Sequence, residues 1–219
     1  MTVDQVRRDV IATCLELADK GYLAGTGGNV ACRIDDEHFA ITPSASDYYS
    51  MTPDDICVLR LDTLARVAGD KRPSVEQKLH ANVLRARLDC KASIHTHQPI
   101  ASAYALLGRD LEILQPAHQT MLGSKAVCAG YAPSGTGWLA SKLGKSLRPE
   151  VNAYFLRNHG AVCCGPTLAE TAARVEALEA ACSDFFRAAI TNRTGTACDE
   201  CLPEALNLLV RNEELEAVR

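Results

Sequence analysis

The sequence contains no continuous apolar run that approaches the roughly 20 residues of a membrane-spanning helix. Residues 1–20 alternate charged and apolar side chains and lack the apolar stretch of a secretory signal. Lysine and arginine are scattered and the formal net charge is −4, so we expect no basic surface for a nucleic acid backbone or an anionic membrane. The composition therefore predicts a cytoplasmic protein that binds neither nucleic acid nor a membrane.

Internal repeats and low-complexity segments are also absent from the 219 residues. Hydrophobic residues make up 47% and charged residues 23% of the chain, which is typical of a globular protein. This length suits one compact domain. We predict a catalytic domain over residues 1–190 and a C-terminal tail with a short helix over residues 191–219, because that segment opens with a Thr, Asn and Gly stretch and ends in an acidic helical piece.

Ten cysteines do not indicate a disulfide scaffold, because most of them lie inside apolar runs such as 56–58 and 162–164. We expect reduced, buried thiols. Cys198 and Cys201 have the CxxC spacing of redox and zinc sites, but a zinc site would need a second pair or nearby histidines. The role of this pair stays open.

Three capping patterns start predicted helices: Thr2 with Gln5, Ser74 with Gln77, and Thr167 with Glu170. The first helix should end at Gly21, the second near Asp89, and the third should be the longest. Further segments read as two helices at 100–107 and around 138–143, and as strands at 30–34, 39–41, 57–61, 92–97, 126–129, 153–156 and 160–164. Because no regular βαβ repeat occurs, we predict an α/β fold with a central, mainly antiparallel sheet and helices on its faces.

The strand predicted at 92–97 carries His95 and His97. Residues two apart on a strand point to the same side, so both imidazoles should face one space and Thr96 the other. A catalytic zinc takes three protein ligands and leaves one position open, and His159, between two predicted strands, is the candidate third ligand. The His-x-His spacing alone is equally typical of histidines that bind no metal.

Glu76 lies in the predicted first turn of the helix capped by Ser74, where the helix dipole favours an ionised carboxylate. An acidic residue at this position is commonly no more than a complement to the dipole. His80 follows one turn later, and we interpret it as a packing or orienting residue rather than a fourth ligand.

Small and hydroxyl residues form three candidate anion-binding turns, at 25–29, at 42–46 and at Ser74. The glycine spacing of the first turn matches neither a Walker loop nor a dinucleotide fingerprint. Together the three turns would form a phosphate pocket that contains no lysine or arginine.

Six ordered motifs over roughly residues 5–190 resemble the class II aldolase and adducin family: Gly28-Asn29-Val30 with Arg33, Ile41-Thr42-Pro43-Ser44, Met51-Thr52-Pro53-Asp54-Asp55-Ile56, Arg72-Pro73-Ser74-Val75-Glu76, Ile94-His95-Thr96-His97 and Asn158-His159-Gly160. The resemblance implies a single three-layer α/β/α domain around a mixed, mainly antiparallel sheet. It also implies a homotetramer with active sites at the subunit interfaces.

The same resemblance assigns candidate roles to individual residues. One Zn²⁺ per subunit, or another divalent metal, would be held by His95, His97 and His159. Glu76 would be the general acid/base and an additional ligand of the resting metal. The substrate phosphate would contact these positions: Gly28, Asn29, Ser44, Ala45 and Ser74.

The chain departs from the family pattern at substrate-facing positions. Ser44-Ala45 stands where these aldolases tend to have Thr-Gly, and Val75 stands between Ser74 and Glu76 where they have a second serine. No tyrosine follows Tyr154 to serve as a C-terminal proton donor, and His118 falls near the position of the other donor. We predict that His118 is a catalytic acid that one subunit contributes across an interface.

The expected activity is that of a zinc-dependent aldehyde-lyase. Cleaving a ketose phosphate to dihydroxyacetone phosphate and an aldehyde leaves electrons on an enediolate, which a metal stabilises while a carboxylate moves the proton. The alternatives are decarboxylation of a 3-oxo-tetronate 4-phosphate, 4-epimerisation of a pentulose phosphate, and a non-catalytic, adducin-like interaction module. The sequence alone does not identify which sugar or sugar acid is the substrate. It also leaves open whether the substrate must carry a phosphate.

Overall fold

The computed structural model describes residues 2–195 except Ala24 and Thr26. The helices within this part of the chain are α1 (Val3–Asp19), α2 (Gln77–Ala86), α3 (Pro99–Leu106), α4 (Pro116–Leu122), α5 (Gly137–Ser146) and α6 (Leu168–Thr194). The strands are β1 (Asn29–Arg33), β2 (His38–Ile41), β3 (Cys57–Arg60), β4 (Arg66–Ala68), β5 (Ala92–Thr96), β6 (Leu111–Glu112), β7 (Lys125–Ala129), β8 (Ala153–Leu156) and β9 (Gly160–Gly165).

The nine strands form one sheet in the order β4-β3-β2-β1-β5-β9-β8-β7-β6. Only β7 and β8 pair in parallel, and the other seven pairs are antiparallel. The predicted mixed, mainly antiparallel sheet is therefore confirmed. Strand β5, which carries His95, lies at the centre between β1 and β9.

Helices cover both faces of the sheet and complete the expected three layers. On one face α1, α3, α4 and α6 pack on the sheet around Val30, Ile94 and Phe155. On the other face α2 and α5 pack around Tyr154, Val162 and their neighbours. Alternate residues of β5 and β9 point to opposite faces, as the period of a strand requires.

The capping predictions are confirmed for two helices. The side chain of Thr2 accepts from the Gln5 backbone N–H, and that of Thr167 accepts from Glu170. The prediction for Ser74 with Gln77 is wrong, because α2 begins at Gln77 with Glu76 as its N-cap residue. Helix α2 also ends at Ala86, earlier than predicted.

Tertiary hydrogen bonds explain the late start of α2. The Ser74 backbone N–H donates to the Thr42 carbonyl oxygen at 3.1 Å, and Pro73 pairs with Pro43 in an isolated antiparallel bridge. The Ser74 hydroxyl oxygen accepts from the Glu76 N–H at 3.2 Å instead of capping a longer helix. Pairing between two loops thus prevails over a local helix-start pattern.

Buried Arg87 explains the early end of α2. Its guanidinium donates to Asp89 and Asn152 and to the carbonyl oxygens of Arg148 and Val151. Its backbone leaves the helical region, with φ −115° and ψ 84°. The chain therefore turns at this residue to place the guanidinium between α2 and the start of β8.

The sequence did not predict three short elements, β4, β6 and α4, since runs of two to seven residues carry little periodicity. Strand β5 ends at Thr96, one residue earlier than predicted. Helix α6 continues to Thr194 and so crosses residue 190; the division into two units stays a prediction. The short helix predicted within 191–219 and the Cys198/Cys201 pair fall outside the described residues.

Eight cysteines lie in the described part of the chain, and all eight are free thiols. Seven are buried and Cys128 is half-buried, which confirms the prediction of reduced thiols for these positions. No helix among the described residues combines the length and apolar character that crossing a membrane requires.

Glu179 of α6 fixes the start of α3, directly after the strand that carries the histidines. Its carboxylate accepts from the Ile100 and Ala101 backbone N–H groups, both at 2.8 Å. We expect Glu179→Ala to lower the free energy of unfolding by about 1–2 kcal/mol, the usual cost of a lost helix cap. Urea unfolding followed by circular dichroism at a fixed protein concentration measures the change.

The matched control is Glu176→Ala in the same helix, since Glu176 only pairs with Lys20 at the surface. An exposed pair of this kind contributes about 0–1 kcal/mol. Equal destabilisation by both substitutions would contradict a capping role for Glu179.

Candidate metal centre

His95 and His97 present their Nε2 atoms to one space at the end of β5. The two atoms are 3.0 Å apart. The Nδ1 of His95 lies 2.8 Å from the Ala161 carbonyl oxygen, which can only accept. This hydrogen bond places the His95 proton on Nδ1, so the lone pair of Nε2 is free to bind a metal.

His159 reaches the same space from the hairpin between β8 and β9. Leu156 pairs with Gly160 across that hairpin, and Asn158 has a φ of +58°. Asparagine tolerates this left-handed conformation better than most residues, which permits the tight turn. The His159 ring centroid lies 4.7 Å from that of His95 and 5.0 Å from that of His97.

Gly160 allows β9 to approach His95 in β5 and His97 directly after it. A Cβ at this position would overlap the Thr96 carbonyl oxygen and lie 2.8 Å from Cδ2 of His97 and 3.2 Å from Cε1 of His95. The position therefore requires glycine because of close contact, not because of backbone torsion.

The three imidazoles fit a metal ion. Their ligand nitrogens all lie within 4.8 Å of one another, and a tetrahedral zinc with bonds of about 2.0–2.1 Å separates its ligand nitrogens by about 3.3 Å. Burial lowers the pKa of His95 to about 3 and also lowers the pKa values of His97 and His159. The rings are therefore neutral at pH 7, which is the form that binds metals.

The carboxylate of Glu76, only 7% exposed, closes one side of the cluster. Its Oε2 lies 3.3 Å from Nε2 of His95 and its Oε1 lies 3.6 Å from Nε2 of His159. Burial raises the pKa of Glu76, but the hydrogen bond that Asn29 donates favours the ionised form, and the pKa lies below its usual range. The site thus combines three neutral nitrogens with one ionised carboxylate.

Ser134 also touches this carboxylate and was not predicted from the sequence. Its hydroxyl donates to Oε1 of Glu76 at 3.3 Å and lies 3.4 Å from Nε2 of His159. Ser134 stands in a loop between Pro133 and Gly135, just after β7. In the sequence, a serine between proline and glycine indicates only a turn. Its distance along the chain from the histidines does not indicate that they meet.

The predicted phosphate-binding turns lie beside the cluster. The Ser44 N–H donates to the Arg72 carbonyl oxygen at 2.8 Å, which joins this turn to the one that contains Ser74. Gly28 has a φ of +87°, and a Cβ there would overlap Leu23 and lie 2.9 Å from the His95 carbonyl oxygen. The structure thus brings Gly28 against the histidine cluster, and its role in binding phosphate stays a prediction.

Asn29 and Ala45 are the remaining predicted phosphate contacts. The Asn29 side chain is buried and donates to Oε2 of Glu76 at 2.8 Å. Ala45 is exposed and has a φ of +50°, a conformation that favours glycine. Asn29 thus adjoins the cluster through Glu76, and a contact of either position with phosphate stays a prediction.

His118 lies apart from the cluster within one chain. It is part of α4 and lines a cavity of about 340 Å³ between α4 and α6, together with Leu111, Phe185 and their neighbours. The cavity does not include any of the three clustered histidines. A role for His118 therefore requires a neighbouring subunit, as the sequence prediction supposed.

Comparison with known proteins identifies the family and the fold. Residues 8–185 match the model of the class II aldolase and adducin N-terminal domain. The chain is 32% identical to L-fuculose phosphate aldolase of Methanocaldococcus jannaschii over 79% of this chain and 91% of that protein. It is 32% identical to 5-deoxy-D-ribulose 1-phosphate aldolase of Bacillus thuringiensis, over 74% of this chain and 75% of that protein.

A solved structure of an L-fuculose 1-phosphate aldolase superposes with a TM-score of 0.78 at 25% identity. The superposition covers 94% of this chain and 96% of that one. Agreement over this share of both chains shows that the two proteins have the same fold.

Gly160→Ala tests whether close packing of β9 on β5 holds the ligand nitrogens. We expect the added methyl group to displace His97 and weaken Zn²⁺ binding by at least about 10-fold, the lower end for lost support around a metal site. Competition with a chromophoric chelator measures the affinity. Gly130→Ala is the matched control, because its Cβ would meet only Lys142 at 3.5 Å or more; wild-type affinity in Gly160→Ala would refute the interpretation.

Proposed function

The chain belongs to the class II aldolase and adducin family, and on that basis we propose that it is a zinc-dependent sugar-phosphate aldolase. The proposed reaction cleaves a ketose phosphate to dihydroxyacetone phosphate and an aldehyde. The observation that carries the proposal is the convergence of three neutral imidazole nitrogens beside the buried Glu76 carboxylate. Homotetramer assembly and a cytoplasmic location are parts of the same proposal.

The first requirement of this reaction is a place for the electrons of the broken carbon–carbon bond. A divalent metal held by His95, His97 and His159 would act as a Lewis acid toward the enediolate charge. The chemistry of the donor set supports Zn²⁺, because imidazole suits borderline metals and three ligands leave a position open to substrate. Glu76 is near enough to join the ligands when no substrate is bound.

The second requirement is a group that moves a proton beside the reacting carbons. Glu76 supports this role, because it is the one carboxylate among the described residues that contacts the cluster. Asn29 donates to Oε2 and Ser134 donates to Oε1, so each oxygen has a fixed neighbour. A carboxylate held in this way can take a proton without first turning toward the substrate.

The third requirement is a site for the phosphate. The Gly28 turn adjoins His95 and the Ser74 turn adjoins Glu76, and the Ser44 turn is joined to the latter. The hydroxyl groups of Ser44 and Ser74 would be the donors to an anion, because the backbone N–H groups of both serines already donate to carbonyl oxygens. The names of both sequence relatives specify sugar phosphates. This agreement supports a ketose phosphate as the substrate class and leaves the particular sugar to experiment.

Two substitutions separate the metal from the proton transfer. We expect His95→Ala to lose bound metal and activity together, and Glu76→Gln to retain the metal while kcat falls by about 10²–10⁴-fold, the usual range for a removed acid/base. Metal analysis and a coupled assay for dihydroxyacetone phosphate measure both effects. Glu170→Gln, a helix-start carboxylate on α6, is the control.

The same experiment tests the alternatives. Ketose phosphates and 3-oxo acid phosphates, each with its unphosphorylated form, are supplied to the wild-type protein and the products are identified. Release of CO₂ identifies a decarboxylase, and conversion between epimers without cleavage identifies an epimerase. A protein without stoichiometric metal, or a fully active His95→Ala variant, would contradict the aldolase proposal.

The proposed donor His118 requires an assembly of subunits. We expect sedimentation to give four chains of 23.6 kDa and His118→Gln to lower kcat by about 10²–10⁴-fold with metal content unchanged. Mixing inactive His118→Gln subunits with inactive Glu76→Gln subunits should restore activity, because some interfaces then combine both intact residues. A monomeric, active protein would contradict the role of His118 as a donor from a neighbouring subunit. The control is His38→Gln, a surface variant in the β1–β2 hairpin.

A further inference from the structure

A buried chain of hydrogen bonds leads from Glu76, beside the histidine cluster, to His80. Asn29 donates through Nδ2 to Oε2 of Glu76 at 2.8 Å, and its Oδ1 contacts Nε2 of His80. The Nδ1 of His80 lies 2.8 Å from the hydroxyl of Ser93. His80 and Ser93 are fully buried, so this chain has no competition from bulk water.

The donors and acceptors of this chain point in one direction. The ionised Glu76 can only accept, so the nitrogen of the Asn29 amide must face it and the oxygen must face His80. His80 then donates from Nε2 to the Asn29 oxygen, and a neutral imidazole has no second N–H to donate. Nδ1 therefore accepts from the hydroxyl of Ser93, which completes the chain.

The orientation of the Asn29 amide has a consequence for Glu76. A reversed amide would place its oxygen against the carboxylate, and two acceptors at hydrogen-bonding distance repel each other. Among the described residues, the N–H of His80 is the donor that holds the amide oxygen on the far side. The chain joins three elements around the cluster, because Asn29 begins β1, His80 belongs to α2 and Ser93 to β5.

We propose that His80 is a positioning residue that orients the Asn29 amide and thereby aims the Glu76 carboxylate at the histidine cluster. The importance of this orientation for turnover rests on the proposed aldolase function. His80 does not touch the cluster itself and acts through Asn29.

A packing role alone does not require an imidazole at position 80. The neighbouring buried positions of α2, Leu79, Val83 and Leu84, are apolar. A leucine of similar volume would fill the space, whereas the imidazole satisfies two polar partners at once. The hydrogen bonds of His80 therefore distinguish it from the other core residues of its helix.

The test is a double-mutant cycle on the full-length protein with Zn²⁺ affinity as the readout. His80→Leu, Asn29→Ala and the combined variant are titrated with Zn²⁺ against a chromophoric chelator. We expect each single variant to weaken Zn²⁺ binding by about 10–100-fold, the usual effect of removing a partner behind a metal site. In the Asn29→Ala background, His80→Leu should add less than about twofold, because the two residues act through one path.

Rescue and control variants distinguish positioning from general stability. His80→Gln retains a terminal N–H and should restore most of the affinity lost in His80→Leu. Asn82→Ala removes another hydrogen bond of α2, from Asn82 to the Ala140 carbonyl oxygen, and should leave Zn²⁺ binding unchanged. Ser93→Ala replaces His80→Leu in the cycle if the leucine variant does not fold.

Two results would overturn the proposal: full, additive losses in the double variant, or wild-type Zn²⁺ affinity in His80→Leu. Turnover separates this proposal from the proposed function. A non-additive Zn²⁺ cycle in a protein that cleaves no ketose phosphate refutes the aldolase function and leaves His80 as a positioning residue of a metal site. An active enzyme with an additive cycle refutes only the role of His80.

Discussion

The pairing of β5 with β9 is the contact on which the candidate site depends. His95 lies opposite Val162 and Thr96 opposite Ala161, so the start of β9 meets the end of β5. The turn before β9 then places His159 above the two histidines of β5. Because Gly160 has no side chain, the strands approach until all three imidazoles share one space. A sheet register, rather than a flexible loop, therefore sets the distances between the ligand nitrogens.

A buried carboxylate beside this cluster needs compensation. Moving an ionised carboxylate out of water costs several kcal/mol unless hydrogen bonds or opposite charge replace its hydration. Asn29 and Ser134 each supply one hydrogen bond to Glu76, whereas the unprotonated Nε2 of His95, at 3.3 Å, supplies none. A bound divalent cation would complete the compensation. The polar residues behind Glu76 are thus part of the same electrostatic arrangement as the three histidines.

Periodicity and family resemblance made much of this arrangement predictable. The period of a strand places His95 and His97 on one side, and the structure shows both Nε2 atoms in one space. Ser134 could not be found, because its contact with Glu76 arises from tertiary packing across 58 positions of sequence. The N-cap position of Glu76 was missed for a similar reason, since the pairing of Thr42 with Ser74 overrides a local pattern. Local signals predict elements, whereas contacts between loops decide where those elements begin.

The departures from the family pattern lie in the predicted phosphate-binding turns rather than on the sheet. Ala45 holds a left-handed backbone where glycine is typical of the family, at a cost of roughly 1–2 kcal/mol. Val75 is half exposed directly beside Glu76, where a second serine would add a phosphate donor. Neither residue touches the three histidines or the β5–β9 pairing that positions them. Under the proposed function, changes at these loops would alter which sugar or sugar acid binds, while the histidine cluster and its carboxylate would retain their geometry.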